Sequence, residues 1–272
     1  RPLVAVDWGT SALRAARLGP AGEVLEERSS PQGILQVPPG GFPETLDRVC
    51  ADWLSAEGTL CLISGMAGSR QGWVEAPYCA CPAGFAQVVR QLAWVRPGRV
   101  AIVPGLQCEH DGVPDVLRGE EVQVFGALSL LGVQQGLFVL PGTHSKWVQV
   151  AGGAVQGFAT CMTGEVYALL RQHSILARML PAQDGPLDAD AFVRGVHHAV
   201  GCGSLLATAF STRTLALFDR LPAPALSSYL SGLVIGEELR LQARPGQAVV
   251  LVGAAGLTQR YALGLRALGA TA

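Results

Sequence analysis

Leu3-Val-Ala-Val-Asp-Trp-Gly-Thr-Ser-Ala-Leu-Arg-Ala-Ala-Arg-Leu18 opens on a short apolar run, stops at an aspartate, turns through Gly-Thr-Ser and resumes a partly alternating pattern. That pattern predicts strand, tight turn, strand. Gly19-Pro-Ala-Gly22 supplies a second turn, and Glu23 to Arg28 a third strand with charge on one face, so the segment is a meander. Beyond the breaker-rich loop Pro38 to Pro43, the stretch Glu44 to Leu54 places Leu46, Val49, Cys50, Trp53 and Leu54 at helical spacing. Thr59 to Ile63 and Arg99 to Val103 read as buried strands. Val116 to Leu131 reads as a helix with Glu120 and Glu121 in its first turn, where carboxylates suit the helix dipole.

The program then restarts. Leu137 to Leu140 is a buried strand, Pro141-Gly-Thr-His-Ser145 a turn, Lys146 to Val150 a returning strand, and Ala151 to Ala154 a turn into a third strand ending near Ala159. Gly9-Thr10 and Gly142-Thr143 thus occupy equivalent places about half a chain apart, an internal repeat of architecture. Helical patterns follow at Glu165 to Leu176, Asp190 to Phe210 and Ser227 to Gln242. A strand, Ala248 to Val252, then leads through Gly253-Ala-Ala-Gly256 into a last helix, Thr258 to Leu268. The expectation is an α/β chain of two similar lobes, 1–131 and 132–272.

The composition narrows the function. A net charge of −1 argues against a nucleic-acid partner, and 49% hydrophobic with 15% charged residues provides ample core and excludes disorder as the main state. No apolar stretch is long enough to span a membrane and the first apolar run is too short for a signal-peptide core, so a cytoplasmic location is expected. Seven cysteines without paired metal spacing read as reduced, mostly buried thiols. The chain holds a single lysine, Lys146, all other cationic side chains being arginine; this marks Lys146 as a position where a compact ammonium is wanted, or as a chance survivor.

A strand that ends in Asp7 and turns through Gly9, Thr10 and Ser11 offers N–H groups and hydroxyls to an anion, with a carboxylate beside them for Mg²⁺ through water and Arg14 close by. An ordinary hairpin turn is the competing explanation. The second turn, Gly142, Thr143, His144, Ser145 and Lys146, adds an imidazole and an ammonium, both suited to phosphate oxygens. Gly253, Ala254, Ala255 and Gly256 provide a small-residue surface for an adenosine, although strand, Gly-rich turn and helix describes many crossovers. Cys108-Glu-His-Asp111 has ligand-type residues but no partner cluster.

Asp7-Trp-Gly-Thr-Ser-x-x-Arg14, Gly142-Thr143 and Val252-Gly-Ala-Ala-Gly256 resemble the first phosphate, second phosphate and adenosine motifs of the actin-like sugar kinase, hsp70 and hexokinase superfamily. Within it, Ser64-Gly-Met-Ala-Gly-Ser-Arg-Gln-Gly-Trp-Val-Glu-Ala-Pro-Tyr78, Leu117-Arg-Gly-Glu-Glu-Val-Gln123, Leu140-Pro-Gly-Thr-His-Ser-Lys-Trp147, Phe210-Ser-x-Arg-Thr-Leu215 and Tyr229-Leu-Ser-Gly-Leu-x-Ile-Gly-Glu-Glu238 are similar to the bacterial 2-dehydro-3-deoxygalactonokinases. The resemblance implies two ribonuclease H-like lobes, each a mixed sheet flanked by helices, with an ATP cleft between them. It also implies transfer of phosphate from ATP to the 6-hydroxyl of 2-dehydro-3-deoxy-D-galactonate, with Mg²⁺, in the De Ley–Doudoroff route of galactose catabolism. The family's last strand and helix are expected to be missing after Ala272.

That chemistry needs a carboxylate to take the hydroxyl proton. Related sugar kinases use an Asp in a Gly-Asp-Gln-Gln run. Gly119-Glu-Glu-Val-Gln123 holds the analogous place, making Glu120 the candidate base and Glu121 the runner-up; both would also merely favour a helix N-terminus. Arg70 or Arg118 would fork onto the substrate carboxylate, Gln71 lies in the same loop, Trp8 and Trp73 would flank the carbon chain unless they serve the core, and Glu165 would meet sugar hydroxyls or cap its helix. The alternatives are a kinase of a related sugar acid such as 2-dehydro-3-deoxygluconate and a non-catalytic sensor of the same fold. A dinucleotide-dependent dehydrogenase is disfavoured because no GxGxxG follows the first strand. An apolar stripe on the C-terminal helices would serve as core or as a homodimer face.

Overall fold

The computed structural model describes residues 2–272, which form two compact units: residues up to Gln134 with Ala151–Gly157, and Gln135–Val150 with Phe158–Ala272. In the first unit the opening meander is β1 (Leu3–Trp8), β2 (Leu13–Leu18) and β3 (Val24–Ser30), followed by α1 (Phe42–Ser55) and β4 (Leu60–Gly65). Next come β5 (Tyr78–Ala80), β6 (Ala83–Gly84), α2 (Phe85–Arg90), β7 (Ala93–Arg96), β8 (Val100–Ile102), β9 (Gly105–His110), β10 (Val113–Leu117) and α3 (Glu120–Leu131). The main sheet has the order β3-β2-β1-β4-β8-β7, with β1, β4 and β8 parallel, so all three end at the same edge. Alternation along β1 sends Val4, Val6 and Trp8 to one face, where they meet Phe42, Leu46, Cys50, Trp53 and Leu54 of α1. Pro43 in the first turn of α1 suits a position whose N–H has no helical partner.

The region between β4 and α3 differs from the sequence expectation. The predicted helix from Val116 begins only at Glu120, because Val113–Leu117 pairs antiparallel with β9 in a hairpin. Asp111 and Gly112 make its turn with φ of 52° and 79°, the left-handed pair that tight hairpins require. Together with β5 these strands form a second sheet, order β10-β9-β5.

The second unit is built from β11 (Gly136–Leu140), β12 (Ser145–Ala151) up to Val150, β13 (Ala154–Cys161) from Phe158 on, α4 (Thr163–His173), α5 (Ala189–Cys202), α6 (Leu205–Thr208), α7 (Ser211–Leu217), α8 (Ala223–Gln242), β14 (Val250–Leu251) and α9 (Ala255–Ala267). Its sheet runs β14-β11-β12-β13, with β14 parallel to β11. The predicted helix Asp190 to Phe210 is two pieces, α5 and α6, because Gly203 takes a left-handed conformation (φ 69°) that ends α5. α8 is buried on nearly every side and lies against α5 so closely that a Cβ at Gly232 would sit 2.0 Å from the Phe192 carbonyl oxygen. The segment 151–157 belongs to the first unit rather than the second, since Ala154 and Val155 pair with Gly84 and Ala83 and the Gly153 N–H donates to Gln134. After α9, Thr271 bridges in parallel to Ala248.

Candidate active site

In the first unit the ends of two parallel strands create the site. Asp7 and Ser64 are paired across β1 and β4, and both strands then open into loops. The first is the Gly-Thr-Ser turn, closed by the Gly9 N–H donating to Ala12 and packed on the loop after β3: Ile34 and Leu35 donate to the Gly9 and Thr10 carbonyls. Thr10 and Ser11 are exposed. Asp7 faces Arg14 at 3.2 Å, both well exposed, a pair of little energetic value that leaves the guanidinium available to an anion. The second loop begins at Gly65, with φ of 88° and room for no side chain: a Cβ would lie 2.9 Å from the Trp8 carbonyl oxygen and 3.3 Å from Asp7 Oδ1. Gly119 approaches Gly65 in turn, its own Cβ position 3.3 Å from the Gly65 Cα. The N-terminus of α3 is thereby held against the Asp7 end of β1.

The two glutamates there differ sharply. Glu120 is half-buried and its Oε2 accepts the Arg118 N–H at 2.9 Å. Glu121 is fully buried; its Oε2 accepts the Gly119 N–H at 2.7 Å and its Oε1 is without a hydrogen-bond partner. Burial pushes the Glu121 carboxyl up to about 8, with Glu120 adding to the rise and the backbone N–H groups opposing it. Asp7, Arg14, Ser64, Gly119 and Glu121 line a cavity of about 1030 Å³ with apolar residues of the open sheet face and of α2 and α3, among them Leu3, Ala5, Val88, Phe125 and Leu128.

The proposed sugar-acid residues separate. Trp8 is fully buried, its ring tilted against Phe42 and edge-on to Trp73 with its indole N–H on the Gln32 carbonyl, so its ring serves the core and cannot flank a substrate. Trp73 stacks on Phe42 but is only half-buried. Arg70 and Gln71 are exposed in the loop after β4, Arg70 paired with Glu75. Arg118 lies over the Tyr78 ring and donates to the Ala76 carbonyl, while its Nε and Nη1 lack protein acceptors. It does not pair with Glu121.

In the second unit three loops converge at one end of the sheet. Gly164 sits so close to the turn after β11 that a Cβ would lie 2.5 Å from the Gly142 carbonyl oxygen, and the Glu165 N–H donates to Thr143. Gly253, at φ 153°, lies beside Pro141, and the Val252 N–H donates to Val139. Thr143 and His144 are exposed, as are Gly253, Ala254, Ala255 and Gly256. Glu165 pairs with His144 at 2.5 Å. Ser145 and Lys146, by contrast, turn inward. Both are buried, Ser145 donating to Glu238 and Lys146 to the Thr160 hydroxyl at 2.7 Å. Ser145 therefore supports its loop and does not present a hydroxyl to a phosphate. Alternation along β12 sends these neighbours to opposite faces of the sheet, and both faces are covered at this end of the strand, so both side chains are buried.

Sequence reasoning gave no site role to Ser64, Gly65, Thr163 or Glu238. A signal existed for the last: it closely follows the apolar run Leu233-Val-Ile235 of a long helix, where an acid that is buried must be paired. Among the described residues no cluster of three or more His, Cys, Asp or Glu could hold a metal, and no helix is long and apolar enough to cross a membrane.

Comparison with known proteins places these loops in a family context. The family model described as 2-keto-3-deoxy-galactonokinase matches residues 7–272. A 2-dehydro-3-deoxygalactonokinase from Escherichia coli (strain K12) is 37% identical over 98% of this chain and 90% of its own length. A crystal structure of a candidate 2-dehydro-3-deoxygalactonokinase from Sinorhizobium meliloti superposes with a TM-score of 0.90 at 35% identity, covering 99% of this chain and 92% of that one. Component A of the (R)-2-hydroxyglutaryl-CoA dehydratase from Acidaminococcus fermentans shares the fold alone, with a TM-score of 0.50 at 12% identity over 99% of this chain and 90% of that one.

Proposed function

The chain belongs to the 2-keto-3-deoxy-galactonokinase family, and from that premise we propose that it transfers the γ-phosphoryl group of ATP to the 6-hydroxyl of 2-dehydro-3-deoxy-D-galactonate. One observation carries the reading: a single family match, residues 7–272, takes in Asp7, the Gly119-Glu-Glu121 run, Gly142-Thr143 and Gly253–Gly256 together. Glu120 accepts the proton from O6, O6 attacks the γ-phosphorus, the bridging bond to the β-phosphate breaks, and ADP leaves. Glu120 suits this better than Glu121. Its carboxylate is partly open and is aimed by the Arg118 N–H, whereas Glu121 is enclosed and its proton is held to about pH 8.

The remaining roles follow from exposure. Thr10, Ser11 and the Gly9 turn with Arg14, and Gly142, Thr143 and His144, offer open donors to the phosphates. Gly253–Gly256 offer a flat small-residue surface to the adenosine. Lys146 contributes its charge from beneath its loop. Arg70, Gln71, Trp73, Arg118 and Glu165 are the candidates for holding the sugar acid, exposed Arg70 through its guanidinium fork. Mg²⁺ is commonly bound through one or two carboxylates with phosphates and water, and exposed Asp7 fits as one such carboxylate. The ion would neutralise phosphate charge there. We place the reaction in the cytoplasm, where ATP is available.

The test is an ADP-release assay with Mg·ATP and, separately, 2-dehydro-3-deoxygalactonate, its gluconate epimer, galactonate, glycerol and no acceptor. Turnover with the first compound far above the others is expected. Equal turnover with the epimer would refute the stated substrate, and ATP binding without turnover on any compound would refute the kinase reading.

A further inference from the structure

Glu238 is a buried acid in the C-terminal half of α8, beside Glu237, which pairs with Arg240, and the phosphoryl-transfer chemistry gives it no part. It is 3% exposed. Its Oε1 accepts the Trp147 indole N–H at 2.6 Å; its Oε2 accepts the Ser145 hydroxyl at 2.7 Å, the Tyr261 hydroxyl at 2.6 Å and the Thr163 hydroxyl. A carboxylate is acceptor-only with about four lone-pair sites, so these donors satisfy it. Burial holds the Tyr261 phenol well above its ordinary range, keeping its proton available to donate. An unpaired acid would be too costly in such a place, and a half-paired one worse than an apolar residue.

The donors belong to the segments that carry the candidate nucleotide-binding loops. Ser145 directly follows Gly142-Thr-His144. Thr163 is the first residue of α4 and precedes Gly164 and Glu165, which pack on Gly142 and Thr143. Tyr261 stands on α9, the helix that the Gly253–Gly256 loop opens. We propose that Glu238 is a positioning residue for ATP: by holding Ser145 and Thr163 on one oxygen it fixes the Gly142–His144 loop against the N-terminus of α4, and so aims the loop's N–H groups at the phosphates. The inference rests on the kinase reading, in which this loop binds the nucleotide. Tyr261 on the same oxygen extends the brace to the helix behind the adenosine loop.

The experiment titrates Mg·ATP into the wild-type protein, Glu238→Gln, Glu238→Asp, Ser145→Ala, Thr163→Val and the Ser145→Ala/Glu238→Gln double variant by calorimetry, alongside KM for each substrate and thermal unfolding. Gln keeps the size but turns one acceptor into a donor that faces hydroxyl donors. Expected is a tenfold or greater rise in the ATP Kd and in KM for ATP in Glu238→Gln, with KM for the sugar acid within twofold. Ser145→Ala should shift in the same direction, and the double variant by less than the product of the singles, since both act through one contact. Glu238→Asp should recover part of the loss.

An unchanged ATP Kd in folded Glu238→Gln, or KM values that move together for both substrates, would overturn the proposal. If Glu238→Gln does not fold, Ser145→Ala and Thr163→Val carry the test by the same two criteria. A wild-type protein that binds ATP yet phosphorylates no sugar acid would sink the kinase reading alone, with the ATP titration still deciding the role of Glu238.

Discussion

Replacing Glu121 by Gln should make the protein more stable at pH 8 than the wild type, and the gain should vanish on acidification. The carboxyl is fully buried with one oxygen unpartnered, and its proton is held to about pH 8 against an ordinary value of 4.5. A folded value above the unfolded one means that the native state binds more protons between those limits, so stability is full below about pH 4.5 and is lost as pH rises through about 8. Each unit of difference is worth about 1.4 kcal/mol, so between pH 5 and pH 8 the loss in the wild type is on the order of 3 kcal/mol. Gln is neutral throughout and its carbonyl can still accept the Gly119 N–H. Urea unfolding of both proteins at pH 5, 6, 7 and 8 reads the difference, and groups common to both cancel. A Glu121→Gln protein less stable than wild type at pH 8, or a difference that does not change with pH, would refute the argument.

Glu120→Gln should lower kcat by on the order of 10²-fold or more with ATP affinity nearly intact, as loss of a general base does; unchanged turnover in the ADP-release assay would remove Glu120 from that role. Asp7→Asn should raise the Mg²⁺ concentration needed for half-maximal rate severalfold, and an unchanged Mg²⁺ dependence would take Asp7 away from the ion. Gly232→Ala should destabilise the second unit by roughly 3 kcal/mol or more, because its Cβ would lie 2.0 Å from the Phe192 carbonyl oxygen and two backbones must part; thermal unfolding unchanged from wild type would contradict the packing described. Trp8→Phe should lower stability by roughly 1–3 kcal/mol while leaving KM for the sugar acid within twofold, since the indole sits in the core. A KM shift without a stability change would return Trp8 to the substrate.

The opening meander, the helix from Glu44 and the long helix before Gln242 were legible because each is specified locally, by alternation, by 3.6-residue spacing or by turn residues. So were the two Gly-Thr turns, whose equivalence is a matter of order along the chain. The hairpin β9–β10 was missed although Asp111-Gly112 is a tight-turn pair, because the apolar residues from Val116 blend with those of the following helix. Only Arg118 and Gly119, the latter in a conformation that side chains rarely adopt (φ 107°), separate strand from helix.

By itself the sequence determined the two-part order of strands and helices, the loops that close on Asp7, Gly142 and Gly253, and the pair Glu120-Glu121 at a helix start. Only the tertiary structure decided which side chains those loops present. It enclosed Trp8 and Glu121, left Glu120 partly open, buried Ser145 and Lys146, and gathered Ser145, Trp147, Thr163 and Tyr261 onto Glu238. The reason is physical: turn and strand preferences act between near neighbours in the chain, whereas burial and hydrogen-bond satisfaction depend on partners nearly a hundred residues away, as Ser145 and Glu238 are.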